Sequence, residues 1–231
     1  NCKYKSKTQP FELENIYSDC HFDNGSERNF TSTKFHFSEF KSSKKEGYFN
    51  GDFTLTNLNK YYLNADMFSS WGLAELNDFI EDSPFKNLTG NVTGDINYQG
   101  NLSFDSKMSE YFSNSKHKGN LNFNNVYFNY KESELDFVFE KINWEVDNHN
   151  VKIYKNDFRV SQSELSFDGN IDNLILYVLD EKDKIDINGN LASEKMIFEE
   201  LLKITEINDD EEMGVFISVL PTWLDVNISV N

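Results

Sequence analysis

The chain has 231 residues, enough to bury a core without metals or many disulfides. Hydrophobic residues make up 38%, but 21 Phe and 11 Tyr lift the aromatics to 15%, so large side chains must supply much of the apolar surface. A net charge of −17 repels phosphate backbones and disfavours nucleic acid as a partner, and no apolar run reaches the roughly 18 residues a membrane helix needs.

Cys2 and Cys20 lie near the start, and their spacing fits either a short bridged loop or two unpaired thiols. The first strand-like run is Phe11-Glu12-Leu13-Glu14-Asn15-Ile16, and a clearer one follows at Leu63-Asn64-Ala65-Asp66-Met67-Phe68-Ser69. Leu73 to Ile80 then places apolar residues at helical spacing. Pro84 follows, and strand-like Leu88-Thr89-Gly90-Asn91-Val92 begins the next stretch.

From residue 121 onward, alternation of period two dominates. It runs through Leu121–Phe123, Val126–Tyr130, Leu135–Phe139, Ile142–Val146, Val151–Ile153, Phe158–Val160 and Leu165–Phe167. One set of alternate positions is aromatic or aliphatic and the other mostly polar, as in a sheet with one dry and one wet face. Asp147-Asn148-His149-Asn150 is the clearest hairpin turn between runs. Asn173 to Leu179 reads as a short helix capped by Asp172, and Met196 to Leu202 as another introduced by Ser193. The acidic run 208–212 reads as an exposed loop, and Pro221 precedes a last strand-like run from Leu224 to Val230.

These segments match one another in order. Phe11–Ile16 resembles Leu121–Val126, and Leu63–Ser69 resembles Ile187–Ser193. Each of the second pair leads into a helical stretch, then a proline and a new strand. The expectation is one elongated segment over 1–231, with approximate repeat units 1–82 and 83–205 and a further unit starting at 220–231. The chain starts at Asn1 and stops within a strand-like run. Both ends therefore read as internal to a longer protein that would hold any targeting segment or anchor.

Catalytic patterns do not stand out. His21, His36, His117 and His149 lack a second ligand at metal spacing and read as surface residues. No nucleophile elbow, phosphate-binding glycine loop or zinc-protease motif occurs. Carboxylates are abundant, but none is singled out as an acid–base pair, so the chain is read as non-catalytic, without cofactor or metal. The aromatic stripe is the feature with functional content. It would form the core of a sandwich, or, on a sheet that curls without a covering layer, an apolar trough.

The stretch from Leu121 to Leu202 resembles the AsmA-like proteins of the bacterial envelope, in the form found in Bacteroidota. The similarity is carried by Ser161-Gln162-Ser163-Glu164-Leu165-Ser166-Phe167-Asp168-Gly169-Asn170-Ile171-Asp172-Asn173-Leu174, by Ile185–Ser193, and by the segment Met196 to Leu202. Landmarks at Pro84–Leu102 and Leu220-Pro221 agree with it, whereas residues 1–60 match only in general character. Such proteins are similar to TamB and the chorein-type bridge proteins. The resemblance implies an inner-membrane anchor outside this chain and a periplasmic location. It also implies a β groove that conducts phospholipid between membranes. An oxidising compartment would favour a Cys2–Cys20 bridge.

The expected fold is therefore mainly β: a curled, elongated, mostly antiparallel sheet of the β-taco type forming an open groove, with a few short inserted helices. Leu121, Phe123, Phe128, Phe137, Phe139, Trp144, Leu165 and Phe167 are the expected groove lining, with a phospholipid or another acyl-chain lipid as partner. The competing expectation is a β-sandwich interaction or scaffold module of a secreted or envelope protein, with no lipid ligand. An acidic glycosidase or carbohydrate binder is the third, and would need two carboxylates converging in a cleft.

Overall fold

The computed structural model describes residues 2–5, 12–44, 47–77, 83, 85–102, 108–130, 135–180, 184–197 and 224–230. The alternating runs become strands of one sheet: β1 (Cys2–Lys5), β2 (Glu12–Asp23), β3 (Lys34–Lys44), β4 (Gly47–Thr56), β5 (Tyr62–Gly72) and β6 (Phe85–Asn101). The second half adds β7 (Lys116–Tyr130), β8 (Asp136–Asp147), β9 (Asn150–Val160), β10 (Ser163–Asp172), β11 (Ile185–Lys195) and β12 (Leu224–Val230). Spatial order equals chain order from β1 to β12, and the two edges do not meet, so the sheet is open. Every junction is antiparallel except the last, where β12 lies parallel to β11. The described strands thus form one sheet rather than two packed ones.

The registers explain the composition. One cross-strand row reads Phe40, Gly51, Met67, Ile96, Gly119, Val146, Val151, Ile171, Ile187 and Val226, apolar or glycine across ten strands. Displaced by one residue along most strands, the opposite face carries Asp52, Asp66, Asn97, Lys118, Asp147, Asn150, Asp172, Asp186 and Asp225 in one row. Like charges directly opposite one another destabilise a ladder. Asparagine and lysine interleave to relieve this: Lys118 Nζ lies 2.7 Å from Asp147, and Asn150 Nδ2 donates to Asp172 at 2.7 Å. The Asn-rich composition is the consequence of an acidic wet face.

On the dry face, glycines make room for rings. A Cβ added at Gly189 would lie 2.7 Å from the Phe167 ring and 2.5 Å from the Asp168 carbonyl oxygen. Phe167 thus lies flat over the Gly169–Gly189 pair, and Trp71 lies over Gly47 in the same way. Rings laid down on glycine keep the dry face smooth instead of studded.

Several of the short runs fuse into longer strands. Leu121–Phe123 and Val126–Tyr130 belong to β7, Leu135–Phe139 and Ile142–Val146 to β8 apart from Leu135, and Val151–Ile153 and Phe158–Val160 to β9. None of these breaks is a turn: β7 is bulged against β6 beside Asn125, which adopts φ 51°, and β9 is bulged against β10 between Ile153 and Asn156, whereas β8 keeps its register with both neighbours. The Asp147–Asn150 hairpin is as expected, with Asn148 at φ 54°.

Three helices sit at the strand ends: α1 (Leu73–Asn77), α2 (Met108–Ser113) and α3 (Leu174–Asp180). The expected helix at 73–80 is α1, with 78–80 outside the described residues. Asp172 is not the cap of α3. It accepts from Asn150, while the Asn173 carbonyl accepts the first helical bond from Tyr177 N–H at 2.9 Å. Ser193 does not open a helix either. It lies within β11 and its hydroxyl donates to the Glu164 carbonyl at 2.8 Å. Residues 198–202 and the acidic run 208–212 are outside the described residues, as are Pro84 and Pro221. Helix α2, which carries only six residues and no clear periodicity, was not expected.

α2 follows β6 and α3 follows β10, four strand spacings away, about 19 Å on a flat sheet. The two helices nevertheless touch, so the sheet curls and they close one end of the trough. No seam divides the sheet at the boundary between units 1–82 and 83–205. β5 and β6 pair without interruption from Tyr62–Asn101 to Gly72–Asn91.

Gly189→Val should displace the Phe167 ring and strain the β10–β11 ladder. The expected loss is about 1–3 kcal/mol in urea denaturation, whereas an unchanged midpoint would show that the ring does not rest on the glycine pair.

Candidate functional site

All eight expected lining residues fall on the dry face. Ile142, Val146, Val151, Ile153 and Phe167 form one packed cluster, with Leu121, Phe123, Phe139 and Trp144 against it. Trp71, Leu73, Val92 and Val126 form a second, joined by Leu121, Phe123, Phe128 and Phe139. Leu135, Val160 and Leu165 form a third, with Phe137 and Phe158 against it. Leu121, Phe123 and Phe139 belong to more than one cluster, so the dry face is continuous.

Leu165 (5% exposed) and Phe167 (9%) are buried and form floor rather than open wall. The other six are half-buried, each with apolar surface left to solvent. Their rings are mutually ordered: Phe123 and Trp144 have centroids 4.4 Å apart, Phe128 stacks on Phe137 at 4.9 Å, and Phe139 on Phe158 at 5.1 Å. The Trp144 indole N–H is buried without a hydrogen-bond partner.

Sequence alternation missed other contributors. Trp71, Val92, Met67 and Ile96 join the same face from β5 and β6, and Phe49 and Phe53 extend it across β4. Phe40 packs edge-on against both Phe49 and Phe53. Their alternation was visible, but which face of which strand they would share depends on register, which is non-local.

The α2–α3 end is tightly built. His117, expected at the surface, is 2% exposed. Its ring meets Phe112 of α2 edge-on at 5.1 Å and His149 of the β8–β9 turn at 6.1 Å. Its backbone exchanges bonds with Asn148, and Ser115 Oγ lies 3.0 Å from Nδ1. Burial lowers the His117 pKa from 6.5. The nearby His149 acts the same way, against the Asn148 hydrogen bond and the Asp147 charge.

The cysteines do not converge. Cys20 is a free, exposed thiol, and Cys2 stands opposite Ile16 in the ladder. Four residues of strand separate Ile16 from Cys20, about 13 Å at strand rise and beyond disulfide reach. The expected Cys2–Cys20 bridge is therefore corrected to two separate cysteines.

The wet face offers two depressions. A shallow one of about 400 Å³ is ringed by Asp66, Asp95, Lys118, Glu145 and Asp147, and is open to solvent. A larger cleft of about 900 Å³ lies over β8 to β11. No group of side chains suited to holding a metal ion occurs among the described residues, and no described helix is long and apolar enough to cross a membrane. No family model, curated protein or solved structure matches the chain.

The His117 shift has a definite sign. An unfolded imidazole takes up its proton near 6.5, the folded one only at lower pH. This contribution to stability is therefore full above 6.5 and is lost as pH falls below it. Between about pH 7 and pH 5 the wild type should lose more thermal stability than His117→Gln. Equal losses would show that the ring is not buried neutral.

Proposed function

We propose that this chain is a non-catalytic segment of a lipid-conducting groove, with acyl chains lying along the dry face and the acidic face in water. The observation that carries this reading is the ten-strand apolar row on a single open sheet, flanked by six lining residues that the described residues cover only in part. A monomeric protein rarely leaves so long an apolar strip without an occupant. The row crosses the strands without a charged side chain, so an acyl chain over the dry face meets its half-buried Phe, Met and Ile side chains, while Val146 and Val151 lie buried beneath the cluster that α3 joins.

Magnitude supports a lipid over a small polar ligand. Each methylene moved from water onto the strip contributes roughly 0.8 kcal/mol. A long acyl chain therefore gains substantially without any directed contact, and can slide because no one position is favoured. The resemblance to AsmA-like proteins agrees with this, and with a periplasmic location and an anchor outside the chain. The lipid in this reading is a phospholipid passing between inner and outer membranes.

Gently purified protein should yield phospholipid by native mass spectrometry. Phe137→Asp, on a half-buried site, should leave the fold intact by circular dichroism yet reduce uptake of a fluorescent phospholipid. Unfolding of Phe137→Asp together with a lipid-free wild type would sink the reading and favour a closed core.

A further inference from the structure

The β8–β9 junction is interrupted. Pairing holds at Phe137–Val160 and Val138–Arg159, and resumes at Trp144–Ile153 through Asp147–Asn150. Between them, residues 139–143 and 154–158 have no ladder partners across the junction, although the register is unchanged on both sides. Each strand stays bonded to its other neighbour: Lys141 opposes Asn124 of β7, and Asn156 opposes Phe167 of β10. The ladder is interrupted there over five residues of each strand, while the Phe139 and Phe158 rings stack across the interruption with centroids 5.1 Å apart.

The 900 Å³ cleft lies over this interruption. Its lining passes from charged wet-face side chains to Asn156, Phe158 and Leu165. Phe158 and Leu165 also pack in the dry-face cluster, so the cleft reaches residues that belong to the other face. Three bases line it, Lys141, Lys155 and Arg159, together with Glu140, Asp157, Glu164 and Glu194. Among the described residues, none of these seven side chains pairs with another, although they share one cleft. Asn156 is 8% exposed as a residue, and among the described residues its side-chain amide makes no hydrogen bond, so it is free to donate into the cleft it lines.

We propose that the interruption between β8 and β9 is a headgroup port, at which the phosphate of a zwitterionic phospholipid meets Lys141, Lys155 and Arg159. Asn156 donates into the cleft, and the acyl chains pass inward over the stacked Phe139–Phe158 pair. The inference rests on the groove reading and adds a fixed point of entry to it. Charges of both signs held apart match a headgroup that carries a phosphate and an ammonium, with the carboxylates facing the ammonium. They also resolve the conflict between a phosphate ligand and a chain of net charge −17. Charge-assisted contacts of this kind are the strong, geometry-dependent ones.

The test compares wild type with the K141Q/K155Q/R159Q protein, using fluorescent phosphatidylethanolamine, the matching fluorescent diacylglycerol, and inorganic phosphate. The triple variant should bind phosphatidylethanolamine about tenfold more weakly and diacylglycerol as well as wild type does. Asn156→Leu should reproduce part of that selective loss. Unchanged phosphatidylethanolamine binding in a variant that still takes up diacylglycerol would overturn the port and leave the groove standing. Inorganic phosphate that binds wild type as tightly as the lipid would overturn it too, by making this a site for the free anion. Wild type that takes up neither lipid would overturn the port together with the groove.

Discussion

A one-layer sheet with a dry face must find something to cover that face, and this constraint organises the molecule. Among the described residues, the strands bury their apolar side chains against lateral neighbours and three short helices. Curling is the first response. It brings α2 against α3 and packs Leu174 and Ile175 of α3 on the cluster around Val151. Flattening is the second, with rings laid on glycine so that the face is low and continuous. Neither response covers Phe123, Phe128, Phe137 or Trp144 fully. The remaining surface is the part for which an external apolar partner is energetically favourable.

The two faces are complementary in what they exclude. Aspartates aligned across β4, β5, β8 and β10 to β12 keep the outside wet, and interleaved Asn and Lys hold that row together. Such a surface resists stacking, wet face to wet face, against a second acidic sheet. Among the described junctions, the interruption between β8 and β9 is the longest loss of a ladder without a change of register; between β7 and β8 it is a single pair. A bulged strand elsewhere shifts its register and pairs on, as at Asn125.

Much of this was legible in the sequence, and the failures have physical reasons. Alternation identified the dry-face residues of β7 to β10 because each strand is long enough to show several periods. It split β7 at Asn125, because a bulge and a short turn leave the same slip of phase, and β8 at Glu140, which lacks a ladder partner on either side. Asparagine at positive φ suits bulge and turn alike. The glycine columns under Phe167 and Trp71 could not be read, since they depend on which residues stand opposite. His117 looked like any polar-strand histidine; it is buried because α2, the β8–β9 turn and the start of β7 converge on it. The run at Leu224–Val230 reads as a strand, but alternation along one strand carries no information about its parallel direction beside β11.

The central claim is that acyl chains occupy the dry face, and the tryptophans report on it directly. Trp71 and Trp144 both lie on that face. In a Trp223→Phe protein loaded with phospholipid brominated along its acyl chains, these two residues should be strongly quenched relative to the unbrominated lipid. Emission that is unchanged while the lipid remains bound would place the chains elsewhere and contradict the account.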